Sequence, residues 1–531
     1  MDTPQRVDYV IVGAGSSGAV LAARLSEDPN VSVLLLESGP DYRSADAPLE
    51  MRSANPLGIM NPAQFPDHQW PALRARRSAH QQAALYDRGR GMGGSSAINW
   101  QVAHRPMLED FDRWAEQGCR GWSGEELLPA MNRLETDLDF GDAPYHGNSG
   151  PITIHRMPVP EWGKVDQALL HAALDLGYPW HADLNAPEST GICPAPVNRT
   201  SDNRVSTNDG YLEPARERTN LTIIGNVHVD RVLFDGRAAT GVRAHTDGGW
   251  TEFSGRQVVL AAGAAFSPAI LMRSGIGPGE QVSGLGVAVL QELPVGENLL
   301  DHSSVGLRLQ LRPEARCRTC DDRIQNCYVR YSSELAGAGM NDMVLVSRNL
   351  VGYDDAGLEF GGLSALTWQN FSRGTLRVVD PDPFAMPEID ERLLSDERDL
   401  VRMRDGARRL FAVGRHPAIG AISAAVYLSG PRGGDVHSDL TMDAITDESA
   451  LDEWLLDSVS DTWHISGTCR MGAPDDRRSV VDSECRVLGV EGLRVIDGSI
   501  MPEVPRANTN ITCMAIAEHM AVRLRRQGRV S

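Results

Sequence analysis

Lysine is almost missing from this chain. Lys164 is the only one, so 50 of the 51 basic residues among 531 are arginine. The arginines are dispersed, which excludes a phosphate-clamping basic patch and reads as a GC-rich coding bias. Positive charge is short overall, with a formal net charge of -20. A field of that sign repels phosphate backbones, so neither nucleic acid nor an anionic membrane surface is an expected partner. No stretch approaches the roughly 20 apolar residues of a membrane helix. No leader is expected either: MDTPQRVDYVIVGAG enters a strand almost at once, which reads as leaving no room for a signal peptide. A cytoplasmic protein with its eight cysteines reduced is the expectation. Metal-binding cysteine patterns are scarce. Cys317 and Cys320 form a single CxxC, with Cys327 nearby and Arg and Asp as neighbours. Without a second ligand pair a surface loop is expected, and no metal.

What is present is ordinary for a soluble globular protein, at 41% hydrophobic and 23% charged residues. The length predicts two domains. DYVIVGAG, SSGAVLAARLSED and VSVLLLESG predict a βαβ unit. Residues 43–70 lack periodicity and read as an irregular excursion, followed by RGRGMGGSSAIN and two helices, FDRWAEQG and EELLPAMNRLE. From about 156 to 215 the βαβ rhythm stops. NLTIIGNVHVDRVLFDGRAATGVRAHT then predicts an alternating β meander, and RQVVLAAGA an apolar strand. From about 311 to 462 the pattern is mixed α+β, with GTLRVVD as a strand and ERDLVRMRDGARRLFAVG as an amphipathic helix. GLRVIDGSIMPEV and TNITCMAIAEHMAVRLRR end the chain as strand, loop and helix. Dinucleotide-domain segments are thus scattered around an inserted domain.

Gly13, Gly15 and Gly18 form GxGxxG between the first strand and helix. Glycines there permit the tight turn and the approach of a pyrophosphate, whose charge the helix N-terminus stabilises. Ser16 and Ser17 lie within the same turn. Glu37, ending the second strand, is placed to accept hydrogen bonds from ribose hydroxyls, which disfavours NADP but leaves NAD and FAD open. Near the C-terminus, WHISGTCRMG carries His464, readable from the stretch alone either as a base or as a satisfied core histidine.

Longer motifs separate these readings. RGRGMGGSSAINWQVAHRP (88–106) resembles the first signature of the glucose–methanol–choline (GMC) oxidoreductases, and GAAFSPAILMRSGIG (263–277) their second. LPVGENLLDHSS and SRGTLRVVDPDPFAMPEID also resemble family landmarks. The resemblance spans essentially the whole chain. It implies an α/β, Rossmann-like FAD-binding domain from residues 1–155, 216–310 and 463–531. Interleaved with it is an α+β substrate-binding domain, containing an antiparallel sheet, from 156–215 and 311–462. It implies that Gly93, Gly94, Ser95, Asn99, Trp100, Gln101 and Val102 line FAD, and that Val229 meets the adenine. Asp497, Gly498, Thr509 and Asn510 would complete the cofactor site, with Trp70 over the isoalloxazine side. Some relatives attach FAD through a histidine where this chain has Ile98, so non-covalent FAD is expected.

The resemblance also gives His464 a role, as the base that takes the hydroxyl proton while the substrate carbon gives hydride to the flavin. Its partner is Asn508, in PRANTN, whose amide can donate to the developing oxyanion. PYHGNSGPI, the Trp of LTWQN and the WHxSGT pattern look like those of bacterial 5-hydroxymethylfurfural and aryl-alcohol oxidases. Trp368 and Trp463 would then flank an aromatic primary alcohol. Oxygen, giving hydrogen peroxide, or another acceptor would reoxidise the flavin. A choline-type dehydrogenase and a hydroxynitrile lyase with redox-silent FAD are the alternative readings.

Overall fold

A computed structural model describes residues 6–430 and 439–528. Residues 1–5, 431–438 and 529–531 of the expected domain segments lie outside the described residues. Val7–Val12, Val33–Leu36 and Leu221–Ile224 run parallel and adjacent. Strands covered on both faces read as unbroken apolar runs, and Val33–Leu36 is buried at every position. On the other side of Val7–Val12 lies Gly249–Leu260. Its first half closes an antiparallel meander with Ala238–Thr246 and His228–Asp235. Its second half runs parallel to Val7–Val12 and to Leu493–Val495. Burial follows the change of partner, alternating at first and complete from Val258 to Leu260. The meander and the RQVVL strand, read separately in the sequence, share one continuous strand.

The second sheet is antiparallel throughout. Its order is Ser423–Leu428, Ser304–Leu311, Phe360–Thr367, Met343–Arg348, Cys327–Tyr331 and Gly191–Pro194. Glu397–Gly414 packs on it as the expected amphipathic helix. The domain boundary expected at residue 310 needs correction. Ser304–Leu311 pairs with Phe360–Thr367 and sends Val305, Leu307 and Leu309 into the second core. The chain therefore crosses between the two sheets just after Leu300, within LLDHSS.

A second correction concerns GTLRVVD. Thr375–Arg377 and Glu388–Asp390 form a small sheet with Arg74–Arg76 and Ala84–Leu85, and Leu376, Val378 and Ile389 enter the first core. This stretch belongs with the N-terminal segment, not with 311–462. Cys327 is likewise not in a loop: it is buried in a strand, while Cys317 and Cys320 are partly exposed. The final helix, Thr509–Gly528, lies against Gly18–Leu25 and Gly124–Leu134.

Candidate active site

A cavity of about 560 Å³, in the range of small-molecule sites, opens where the glycine-rich loops meet the second sheet. Gly13 has φ +100°, and a Cβ there would sit 2.6 Å from the Ala261 carbonyl oxygen. A Cβ on Gly18 would sit 1.8 Å from the Gly13 carbonyl oxygen. Gly15 differs, since its added Cβ would meet only Gly94 Cα at 3.8 Å. Gly15 thus leaves open space at the N-terminus of Gly18–Leu25, where helix amides and dipole favour a phosphate. Gly94 backs onto Gly15 from the second glycine-rich stretch, and Gly93 N–H donates to Ala14 at 2.9 Å.

The side chains around this floor tie distant segments together. Ser16 Oγ donates to Asn510 Oδ1 at 2.7 Å, and Ser17 Oγ to the Cys513 carbonyl at 3.0 Å. Glu37 accepts three backbone N–H groups, from Ala14, Gly39 and Gly91 at 2.8–3.0 Å. Its carboxylate therefore locks two loops to the strand end, a duty beyond the expected one toward a ribose. Asp497 accepts from Gly263 N–H at 2.9 Å, Ser267 Oγ at 2.6 Å and Ser499 N–H at 2.8 Å. Asn510 Nδ2 and Trp100 Nε1 are buried donors without a protein partner among the described residues, and both residues line the cavity. Spare donors beside an open glycine floor fit a cofactor rich in phosphate and carbonyl oxygens.

Of the residues singled out in the sequence, Gly13, Gly15, Ser16, Ser17, Glu37, Trp70, Gly94, Ser95, Asn99, Trp100, Val102 and Val229 line the cavity. So do Trp368, Trp463, His464, Asp497, Gly498, Asn508, Thr509 and Asn510. Three stand behind the wall. Gly18 and Gly93 are packed against backbone and side chains, and Gln101 is fully buried between Ser53 and Arg199. Trp70 is in the wall but not at the expected end. Its ring packs on Phe266 at 4.2 Å and on His228 at 6.0 Å, next to Val229 rather than beside His464.

The other end of the cavity holds two histidines. Leu300 and Ser466 form a mutual antiparallel backbone pair, so two residues onward His302 comes opposite His464. Their Nδ1 atoms are 2.8 Å apart. His302 Nε2 lies 3.0 Å from the Pro505 carbonyl, which can only accept, so that nitrogen carries the proton. Burial holds His302 down to about 3, hence neutral, and its Nδ1 is an acceptor. His464 Nδ1–H must then be the donor between the rings, with Thr462 Oγ1 also 2.8 Å from it. The lone pair of His464 is left on Nε2, which receives Asn508 Nδ2–H at 3.2 Å. Burial, and less strongly the charge of Arg88, hold His464 well below the usual histidine range. The Asp301 carboxylate accepts both histidine backbone amides, at 2.7 and 3.0 Å.

Aromatic rings enclose this pair. Trp368 lies 6.1 Å from His464 with nearly parallel planes, and 4.7 Å from His302 edge-on. Trp463, at φ +59°, lies 5.9 Å from Trp100 and donates Nε1–H to Asp87 at 3.0 Å. His302, Asp301 and Asp87 were not singled out as site residues from sequence. The adjacent Asp and His of LLDHSS were the available signal.

Sequence profiles described as GMC oxidoreductase match residues 7–304 and 370–517. This chain belongs to the GMC oxidoreductase family. GMC oxidoreductases bind FAD, and this member is an FAD-dependent oxidoreductase acting on alcohols. It is 38% identical to a 5-(hydroxymethyl)furfural oxidase of Methylovorus sp., over 97% of this chain and 98% of that one. It is 34% identical to an oxygen-dependent choline dehydrogenase of Yersinia pestis, over 98% and 93%. Among solved structures, a pyridoxine 4-oxidase from Mesorbium loti superposes with a TM-score of 0.86 at 29% identity, covering 98% of this chain and 99% of that one. No described helix is long and apolar enough to cross a membrane.

Proposed function

We propose that this GMC oxidoreductase oxidises a primary aromatic or furanic alcohol to its aldehyde, with O2 as acceptor and hydrogen peroxide as product. The observation that carries the reading is the tautomer chain from Pro505 through His302 to His464. It leaves an unprotonated Nε2 on a neutral, buried imidazole facing the cavity, as a base for an alcohol must be. The glycine floor, Glu37, Asp497 and Asn510 would hold FAD, which supplies the hydride acceptor when bound. The substrate hydroxyl displaces Asn508 N–H from His464 Nε2, which then takes the hydroxyl proton. Asn508 donates an N–H to the oxygen as it gains charge, without changing its own charge. His302 Nδ1 accepts from the imidazolium that results, and its own Nε2–H stays on Pro505. Trp463 and Trp100 offer faces for a flat ring, while the fully buried Trp368 backs His464 and His302. The 5-(hydroxymethyl)furfural oxidase relative supports this substrate class.

Asp87 supports a second reading. Its carboxylate lines the cavity beside Trp463, an arrangement suited to a quaternary ammonium, and a choline dehydrogenase is among the relatives. Peroxide release in air, with 5-hydroxymethylfurfural, vanillyl alcohol and choline offered separately, tests both. Peroxide from the first two and none from choline is expected. Turnover of choline alone would replace the first reading by the second.

A further inference from the structure

Behind the histidine pair sits a buried cluster that the reaction does not use directly. Asp301, Glu391 and Asp461 each place a carboxylate oxygen within 4.8 Å of the others, and all three residues are buried. Arg77 is the cation inside the cluster. It is fully buried, and its Nε donates to Asp461 at 2.5 Å. Three ionised acids against one guanidinium would leave an excess of two negative charges in a buried site, which is strongly unfavourable. Arg77 bonds only Asp461 of the three acids and turns its other two nitrogens to the Ala75 and Leu85 carbonyls, so a proton on one acid would reduce the excess.

The hydrogen bonds show which acid carries it. Asp301 Oδ1 accepts N–H groups from His302 at 2.7 Å and His464 at 3.0 Å, with Thr462 N–H and Oγ1 both at 3.4 Å. Asp301 Oδ2 accepts Tyr86 O–H at 2.6 Å. Asp461 accepts from Arg77 and from Trp463 N–H at 3.1 Å. These are the environments of anions. Glu391 is 1% exposed, and neither of its oxygens meets a donor. Carboxylate oxygens of Asp301 and Asp461 lie within 4.8 Å of it, and Asp461 is already paired with Arg77, which leaves Asp301. Two carboxyl groups in contact, one saturated with donors and the other with none, share a proton held by the second.

We propose that Glu391 is a neutral carboxylic acid that donates its O–H to Asp301, and that it is a positioning residue for the base. Asp301 is the clamp between LLDHSS and WHISGT. The Glu391 proton lets the clamp keep its charge for the amides of His302 and His464. Burial and the charges of Asp461 and Asp301 push Glu391 well above the usual carboxylate range, while Arg77 opposes this. Tyr86, Arg77 and, through Tyr86, Arg88 are the other ionisable groups around the pair. When alkaline solution removes the proton, two carboxylates face each other and the Asp301 clamp weakens. The flavin-reduction rate then falls at high pH through a group other than His464.

This inference rests on His464 being the base only for its kinetic consequence. The proton itself is visible in the holoenzyme by infrared spectroscopy, as the carbonyl stretch of an un-ionised carboxylic acid. Glu391→Gln should remove that band, since its amide N–H replaces the O–H. It should also keep flavin reduction within about threefold of the parent at neutral pH and abolish the alkaline fall. Glu391→Ala, which leaves Asp301 without that donor, should be slower by about tenfold or more, with the loss in the rate constant rather than in KM. A carbonyl band that persists unchanged in Glu391→Gln would overturn the protonation. A band lost together with an unaltered alkaline fall would overturn the positioning role. A base other than His464 would show instead in His464→Ala, with the Glu391 band intact.

Discussion

Which nitrogen of His464 carries the proton decides what this residue can do. His302 fixes it, because Pro505 can only accept. His464→Ala should keep yellow, bound FAD and lose about 10²–10⁴-fold in anaerobic flavin reduction by substrate, followed by bleaching. His302→Phe should also slow bleaching while leaving FAD bound, since Nδ1–H of His464 loses its ring acceptor and keeps only Thr462 Oγ1. The pH dependence has a definite sign. Both histidines are held below the ordinary value of 6.5, so the base stays unprotonated as acid is added. Bleaching rates should therefore be flat through neutrality and fall only well below pH 6.5, the ordinary value. A fall centred on that value would mean a solvent-exposed imidazole. His464 and Asn508 could be placed in one cavity because WHISGT and PRANTN resemble family motifs. His302 was not, because its role arises from a pairing with a residue 162 positions away. Gln101 and Trp70 were placed by their neighbours in sequence, whereas φ +60° at Gln101 turns its side chain toward Arg199 and away from the cavity.

One group of short elements carries a second buried charge network. Glu135–Asp137 and Ile152–Arg156 run parallel, and His146 is inserted between their acids and Asp183. Arg156 spans Asp137 and Asp183, and Arg105 lies 3.4 Å from Glu135. Three acids and two arginines need one more positive charge, and His146 supplies it. Burial opposes that charge, but Asp183 and Glu135 outweigh it and raise His146 above 6.5. A histidine raised on folding contributes stability that is full below its unfolded value and is lost as pH rises through its folded one. His146→Gln should cost about 3–5 kcal/mol near pH 6, and distinctly less at alkaline pH. Thermal melts of both proteins across that range would reveal the convergence. PYHGNSGPI had been marked only as a family likeness, since the acids that meet His146 come from two other stretches. At the same scale, apolar runs gave away Val7–Val12 and Val33–Leu36, whereas Leu221–Ile224, read into the meander, pairs parallel with Val33–Leu36, and the end of the 216–310 segment was misplaced. VGLRLQL alternates in a way that suits either core, and only its pairing with Phe360–Thr367 chooses.

Across the whole molecule the interleaved plan was readable, because cofactor-type and non-cofactor-type patterns take turns along the chain. How the two parts are stitched was not, since Thr375–Arg377 and Glu388–Asp390 join the N-terminal segment through strands of three residues or fewer. The cavity is similarly assembled from far-flung pieces, and no side chain of a flavin-bonding type stands at Ile98. Acid precipitation should leave the flavin in the supernatant. Yellow colour retained in the pellet would mean a covalent link elsewhere.

The clasp between Ser16 and Asn510 spans 494 residues. It sets a timetable for biosynthesis. Ribosomes add roughly 5–20 residues per second, so on the order of a minute separates the emergence of the two partners. During that interval the glycine floor exists without the helix that backs it, and Gly249–Leu260 waits for Leu493–Val495. Nascent chains cannot seat the flavin until the last helix leaves the tunnel.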